Sequence, residues 1–270
     1  MPELPEVETT RRGLSPHLEG RRINKIVVRD ARLRWPVPED YAARFRGVTI
    51  ESLTRRAKYL LWHSAKGTTL VHLGMSGSLR VVPASTPYKK HDHVEWQLDG
   101  DDVIRLHDPR RFGCVLWLDD IDNHPLLRGL GPEPLGNAFG GDWLFERSRG
   151  RRQAVKNFIM DAKQVVGVGN IYASEALFRA GIHPSRAAGR VSKPRYLALG
   201  DAIRAVLGDA LEAGGTTLRD FLRNDGEPGY FRQSLNVYGR TDEPCNVCGE
   251  PVRMRVIGQR SSFFCAKCQR

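Results

Sequence analysis

No uninterrupted apolar stretch approaches the roughly 18 residues that span a bilayer, which excludes a helical membrane protein. The front of the chain carries three glutamates and two prolines where a secretory leader has its apolar core, so the expected location is the cytoplasm, with the nucleoid. Cysteine is scarce, five in 270 residues, which excludes a disulfide scaffold. Four of the five form two C-x-x-C pairs near the C-terminus, and in a reducing compartment that spacing signals metal before disulfide. Acid is in short supply against base: 31 Asp and Glu face 42 Lys and Arg, a net charge of +11. Much of the excess is arginine, whose planar fork suits phosphate, so a polyanion, nucleic acid first, is the expected partner. Internal repeats and low-complexity segments are also missing.

What is present is organised around the first eight residues, Met1-Pro2-Glu3-Leu4-Pro5-Glu6-Val7-Glu8. A small residue behind Met favours its removal, so Pro2 is expected to begin the mature chain. An α-amino group has a pKa of about 7.7–8.0 and is partly neutral near pH 7. A neutral amine attacks carbonyl-like carbon. Because proline's nitrogen is secondary, its adduct with a sugar anomeric carbon is a cationic iminium, an electron sink that favours elimination. Glu3, next in line, can move protons on the same substrate. The bland reading is equally simple: Met-Pro starts are common, and Glu3, Glu6 and Glu8 suit the first turn of a helix beginning near Pro5.

That helix is expected over Pro5 to Leu14, with Val7 and Leu14 inward and Ser15-Pro16 ending it. Strands follow at Arg22–Arg29, Val48–Leu53, Tyr59–His63, Thr69–Leu73, Leu79–Val82, His93–Leu98, Val103–Leu106 and Cys114–Leu118. Short strands at this spacing read as a β-sandwich or barrel. A Pro- and Gly-dense connection at 122–142 then gives way to helical periodicity at Trp143–Ser148, Gln153–Ala162, Asn170–Ala180, Pro194–Ala213 and Leu218–Arg223. The fold class is α+β. Four segments are expected: 1–121 a mostly β domain, 122–142 a linker, 143–235 a helical domain, and 236–270 a metal finger.

The spacing Cys245-x2-Cys248-x16-Cys265-x2-Cys268 suits one tetrahedral structural Zn2+ under a β-hairpin, with Arg260 at the hairpin's far end. A closed four-thiolate site leaves no coordination position for catalysis. In Gly167-Val168-Gly169-Asn170, two glycines precede an Asn that suits an N-cap, so a helix start could grip phosphate; an ordinary helix hairpin is the alternative. Met75 between glycines and Arg110-Arg111-Phe112 lie on expected loops, able to fill the gap left by an extruded base. Buried packing is their default. Lys58 follows two arginines in a run that reads as a solvated edge, Lys89-Lys90-His91 as a loop cluster for phosphate or solvent, and Cys114 as inert core.

Taken together, PELPEVET at the front, RRAKYLL at 55–61, HLGMSG at 72–77, DPRRFG at 108–113, GVGNIYASE at 167–175 and the terminal cysteine hairpin resemble bacterial formamidopyrimidine-DNA glycosylase, from end to end. The resemblance implies an N-terminal β-sandwich with flanking helices, a helix-two-turn-helix domain and a β-hairpin zinc finger. It implies removal of oxidised purines such as 8-oxoguanine from damaged double-stranded DNA, followed by strand cleavage, in a monomer. By matching residue, Pro2 is the implied nucleophile, Glu3 the acid that opens the sugar, Lys58 the proton donor in β-elimination, and Arg260 a phosphate holder active in δ-elimination. Met75, Arg110 and Phe112 fill the vacated space. His91, Arg110, Arg151, Lys156 and Asn170 hold DNA; Tyr172, Glu175 and Glu6 support them. Arg151 stands where other members carry Lys.

Two other readings compete. An endonuclease VIII-type glycosylase for oxidised pyrimidines shares the nucleophile and finger but tends to begin Pro-Glu-Gly-Pro-Glu, where this chain has Leu4. Thr216–Tyr230 also resembles a purine-recognition loop. A non-catalytic damaged-DNA-binding protein would use the basic surface and finger alone, and would leave the Pro-Glu start unexplained.

Overall fold

The computed structural model describes residues 2–221 and 235–270. The stretch Thr216–Tyr230 falls largely outside these residues, as does Met1. Two compact units are present, one reaching Arg128 and the other taking in Gly129–Ala213 and the C-terminal segment to Arg270.

The first unit opens with α1 (Leu4–Leu18), then β1 (Ile23–Val28), α2 (Tyr41–Phe45), β2 (Ser52–Arg56), β3 (Tyr59–Ser64), β4 (Gly67–His72), β5 (Ser78–Pro83), β6 (Asp92–Leu98), β7 (Asp102–His107) and β8 (Cys114–Leu118). Two antiparallel four-stranded sheets result, in the orders β1-β6-β7-β5 and β2-β3-β4-β8. Inward side chains of both make one core. Trp62 of β3 meets Trp96 of β6 with ring centroids 4.8 Å apart, both fully buried, a pair contributing about 1 kcal/mol beyond its buried area. The Trp96 indole donates to the Tyr41 hydroxyl at 2.8 Å, whereas the Trp62 indole N–H is buried without a partner.

Two expectations for this unit fail. Helix α1 does not stop at Ser15-Pro16 but carries Pro16 inside it to Leu18. An interior proline removes a helix bond at a cost of about 3 kcal/mol, but Leu14 and Leu18 are both fully buried, and that packing carries the helix onward. The run 48–53 is not the strand. Val48 and Ile50 feed the core from a loop, Thr49 makes only an isolated bridge to Arg22, and the ladder runs from Ser52↔His63 to Arg56↔Tyr59. The cations Arg55 and Arg56 are therefore part of β2. Helix α2 carries too short a pattern to be read from sequence.

The second unit holds α3 (Gly141–Ser148), α4 (Val155–Met160), α5 (Asn170–Arg179), α6 (Lys193–Phe221) as far as Ala213, and the hairpin of β9 (Arg253–Ile257) and β10 (Arg260–Phe264). Val155, Phe158, Ala173, Leu177, Tyr196 and Leu207 pack as its helical core. The expected break between 213 and 218 is absent, since α6 continues to Phe221. Gly258 and Gln259 turn the hairpin with φ of 56° and 62°, the left-handed pair of a tight two-residue connection. Among the described residues no helix is long and apolar enough to cross a membrane.

Candidate active site and phosphate-binding elements

In the first unit the head of α1 is built by a capping box. Glu3 is the N-cap, its side chain meeting the Glu6 amide, while the Glu6 carboxylate accepts the Glu3 amide at 2.8 Å. Two of the orphan N–H groups of the helix start are satisfied in this way. Glu3 is buried to 2 % exposure, and Pro2 lies half-buried just ahead of it.

Glu8, one and a half turns on, ties this helix to β2. Burial works against its charge, but hydrogen bonds and charge from Arg11, Arg12 and Arg55 outweigh that and hold its carboxyl below the usual range. Arg55 also donates to the carbonyl of Ala57 at 2.9 Å. Ala57 takes a left-handed φ of 55°, so Lys58 leaves the strand through a turn pinned to α1. Glu8 and Arg55 form a connection that sequence spacing did not reveal, because the partners are 47 residues apart.

Past Lys58, Tyr59 pairs across the ladder with His72, their rings 5.1 Å apart. Burial, reinforced by the charges of Lys58 and Arg34, pushes the His72 imidazole down to about 4, so it is neutral at pH 7. Its Nδ1 accepts the Gly74 amide at 3.0 Å, which anchors the loop bearing Met75. Met75 is 36 % exposed and Phe112 42 %. The Arg110 guanidinium lies over the Phe112 ring, 4.8 Å from its centroid. Fully buried Asp108 braces this second loop: its Oδ2 accepts the Gly113 amide at 2.8 Å, and its carbonyl accepts a hydrogen bond from His93 Nε2 at 2.9 Å. His91 sits beside His93 and His107, about 6 Å from each ring, where desolvation and neighbouring cations lower its pKa. Cys114 is buried, and that burial raises its thiol to about 12, the inert residue expected.

In the second unit, Lys156 is fully buried, yet its Nζ reaches Asn170 Oδ1 at 2.6 Å, Ser262 Oγ at 2.7 Å and the Ser261 carbonyl at 3.1 Å. Asn170 Nδ2 donates to the same Ser261 carbonyl at 2.9 Å. The N-cap of α5 is Gly169, and Asn170 is the first helical residue. The sequence expectation of an Asn cap is thus corrected: its amide bridges α4 to the finger hairpin. Glu175, buried on α5, receives four N–H groups at 2.9–3.1 Å: the backbone amides of Asn236, Val237 and Tyr238 and the Asn236 side chain. It fixes where the finger segment begins. Tyr172 packs in the helical core, whereas Arg151 is exposed and Arg260 stands exposed beside the hairpin turn.

The Sγ atoms of Cys245, Cys248, Cys265 and Cys268 all lie within 4.8 Å of one another, with Cys248 and Cys265 at 3.5 Å and Cys245 and Cys268 at 4.0 Å. Zn–S bonds of about 2.3 Å in a tetrahedron require sulfurs about 3.8 Å apart. The donor set fits, and backbone N–H groups of Val247, Cys248, Lys267 and Cys268 point at these sulfurs, as suits thiolates. One structural zinc belongs here.

Comparison with known proteins then decides the family. The N-terminal domain model of formamidopyrimidine-DNA glycosylase matches residues 1–115, its H2TH domain model 130–222, and a zinc finger found in FPG and IleRS 242–270. The formamidopyrimidine-DNA glycosylase of Magnetococcus marinus is 60 % identical over 274 residues, covering all of both chains. The chain belongs to the formamidopyrimidine-DNA glycosylase family. Another relative of that name, from Stenotrophomonas maltophilia, is 58 % identical, again over both full lengths. Among solved structures, the MutM (Fpg) protein of Thermus thermophilus superposes with a TM-score of 0.85 at 40 % identity, covering 99 % of this chain and 98 % of that one. The Lactococcus lactis Fpg solved with DNA containing N7-benzyl-Fapy-dG gives 0.91 at 31 %, covering all of both. The α+β architecture of this family, a two-sheet N-terminal unit with flanking helices, a helical H2TH domain and a hairpin finger, is the one described above.

Proposed function

We propose that this member of the family removes oxidised purines, 8-oxoguanine and formamidopyrimidines, from damaged duplex DNA and then cleaves the strand. The observation that carries the reading is the head of α1. There Pro2 directly precedes a buried, capped Glu3, on a helix locked through Glu8, Arg55 and the Ala57 carbonyl to the turn that presents Lys58. A nucleophile, an acid and a cationic proton donor on elements tied to one another suit iminium chemistry.

The roles follow from the chemistry. Extruding a nucleotide costs a few kcal/mol; Met75 and Phe112 are exposed apolar groups able to fill the vacated stack, and Arg110 can face the orphaned base. Pro2 attacks C1′ as the base departs, with Glu3 supplying a proton to the opening sugar. The iminium acidifies the 2′ proton. Lys58 serves β-elimination of the 3′ phosphate, and Arg260 serves δ-elimination of the 5′ phosphate, which leaves a one-nucleotide gap. His91, Arg151, Lys156 and Asn170 hold phosphates, with Tyr172, Glu175 and Glu6 behind them. Zinc orders the finger and takes no part in the chemistry. The enzyme works as a monomer with the nucleoid, and residues 122–142 link a catalytic domain at 1–121 to DNA-gripping segments at 143–235 and 236–270.

Borohydride reduction during reaction with an 8-oxoguanine:cytosine duplex tests this directly. One adduct at Pro2 is expected from the wild type and none from Pro2→Gly, and Glu3→Gln loses excision. Capture on an internal lysine, or no capture from protein whose Met1 is shown by intact mass to be gone, overturns it.

A further inference from the structure

In the second unit, Arg186 and Arg190 line a cavity of about 530 Å³ with His183, Ser185, Ala187 and Arg270. Elsewhere the chain pairs its arginines readily, as in Arg21 with Asp99, Arg80 with Asp92 and Arg179 with Asp209. Among the described residues, no carboxylate side chain forms an ion pair with Arg151, Arg152, Arg186 or Arg190. The Arg270 main-chain oxygen, part of the carboxylate at the last residue, accepts the His183 amide and the Arg195 guanidinium, so that charge is engaged by Arg195.

The cavity is crowded with positive charge. Behind the effect of burial, the charges of Arg255 and then Arg186 lower the pKa of His183, and that of Arg186 lowers the pKa of Arg195. Ser185 adds an independent signal: its Oγ is buried with no hydrogen-bond partner, an arrangement that costs free energy until an acceptor arrives. A phosphate in the cavity would neutralise the guanidiniums.

The backbone joins the cavity to the elements already described. The amides of Val155 and Lys156 donate to the carbonyls of Arg186 and Pro184. The amides of Gly189 and Ala188 donate to the carbonyls of Arg151 and Gln153, so the segment bearing Arg151 and Arg152 runs alongside the cavity wall. We propose that this cavity is a second phosphate site of the helical unit, which takes a phosphodiester of duplex DNA. The proposal rests on the reading that duplex DNA is the partner. It adds a contact beyond Lys156 and Asn170.

Salt-dependent binding of undamaged duplexes tests it, using the full zinc-loaded chain. The double variant Arg186→Gln/Arg190→Gln is expected to lose about 0.9 from the slope of log K against log salt on a long duplex, because the one phosphate held in the cavity contributes about 0.9. Arg186→Lys/Arg190→Lys keeps the slope, since an ammonium still neutralises a phosphate. At saturating enzyme, both variants match the wild type in borohydride capture. An unchanged slope in the glutamine variant overturns the proposal. Equal losses in both variants also overturn it, because they mark a structural role. If the glutamine variant loses only inorganic phosphate, measured calorimetrically, the cavity serves a free anion and the DNA assignment falls. Failure of the wild type to be captured would sink the excision chemistry while leaving the slope comparison standing.

Discussion

A Cβ added to Gly74 would lie 2.5 Å from the backbone nitrogen of Gly113, on top of the Phe112 peptide. The loop of Met75 and the loop of Phe112 are therefore held backbone to backbone, and Gly74 also sits at a left-handed φ of 64°. Gly74→Ala is expected to destabilise the chain by about 1–3 kcal/mol. Excision should fall further than stability alone explains, because the two loops must separate. Chemical denaturation and single-turnover excision on one preparation check it, and wild-type excision from this variant would show that the contact does not set the loops.

The neutral imidazole of His72 makes stability depend on pH. Its folded value, about 4, lies below the ordinary 6.5, so the unfolded chain binds the proton more readily between those limits. Stability is thus lost as pH falls from about 6.5 to 4, by up to about 3 kcal/mol from this group. Protonation of Nδ1 also breaks its bond from the Gly74 amide and frees the Met75 loop. Urea unfolding at pH 7 and pH 4.5 should show a smaller difference in His72→Gln than in the wild type.

Lys156→Met removes the three hydrogen bonds that Nζ makes to Asn170, Ser261 and Ser262. The buried acceptors left behind cost about 2–4 kcal/mol in total. Weaker DNA binding is expected together with faster zinc loss to a chelator, since the hairpin loses its tie to α4. Unaltered zinc release would show that the hairpin does not depend on this tie.

Glu175→Gln replaces a carboxylate that receives four N–H groups with an amide having one acceptor oxygen. A loss of about 1–3 kcal/mol is expected, concentrated at the start of the finger. Hydrogen exchange at the amides of Val237 and Tyr238 reads it, with exchange in the β-sheets of the first unit unchanged.

Stripping zinc should unfold the hairpin, because the core beneath it is little more than Phe178, Val237, Val252 and the cysteines themselves. DNA binding is expected to collapse while the near-ultraviolet signal of Trp62 and Trp96 persists. Restoration by zinc, followed in the same cuvette, completes the test.

The cysteine spacing, the β-branched and aromatic runs of the strands and the Pro2-Glu3 start were legible in the chain because each depends on neighbours a few residues apart. Local patterns set the metal ligands, the hairpin turn at Gly258 and most strands to within a residue or two. The helix through Pro16, the start of β2 at Ser52 and the role of Asn170 were not legible. Each is decided by a partner far along the chain: the core under Leu18, His63 across the ladder, Lys156 and the Ser261 carbonyl. Sequence by itself determined which groups are available to attack, protonate and bind. Tertiary packing alone decided that Glu8 would reach Arg55, that Gly74 would press on Phe112, and that Arg186 and Arg190 would share a cavity. Burial and long-range hydrogen bonds settle such matters, and neither has a period that a sequence can show.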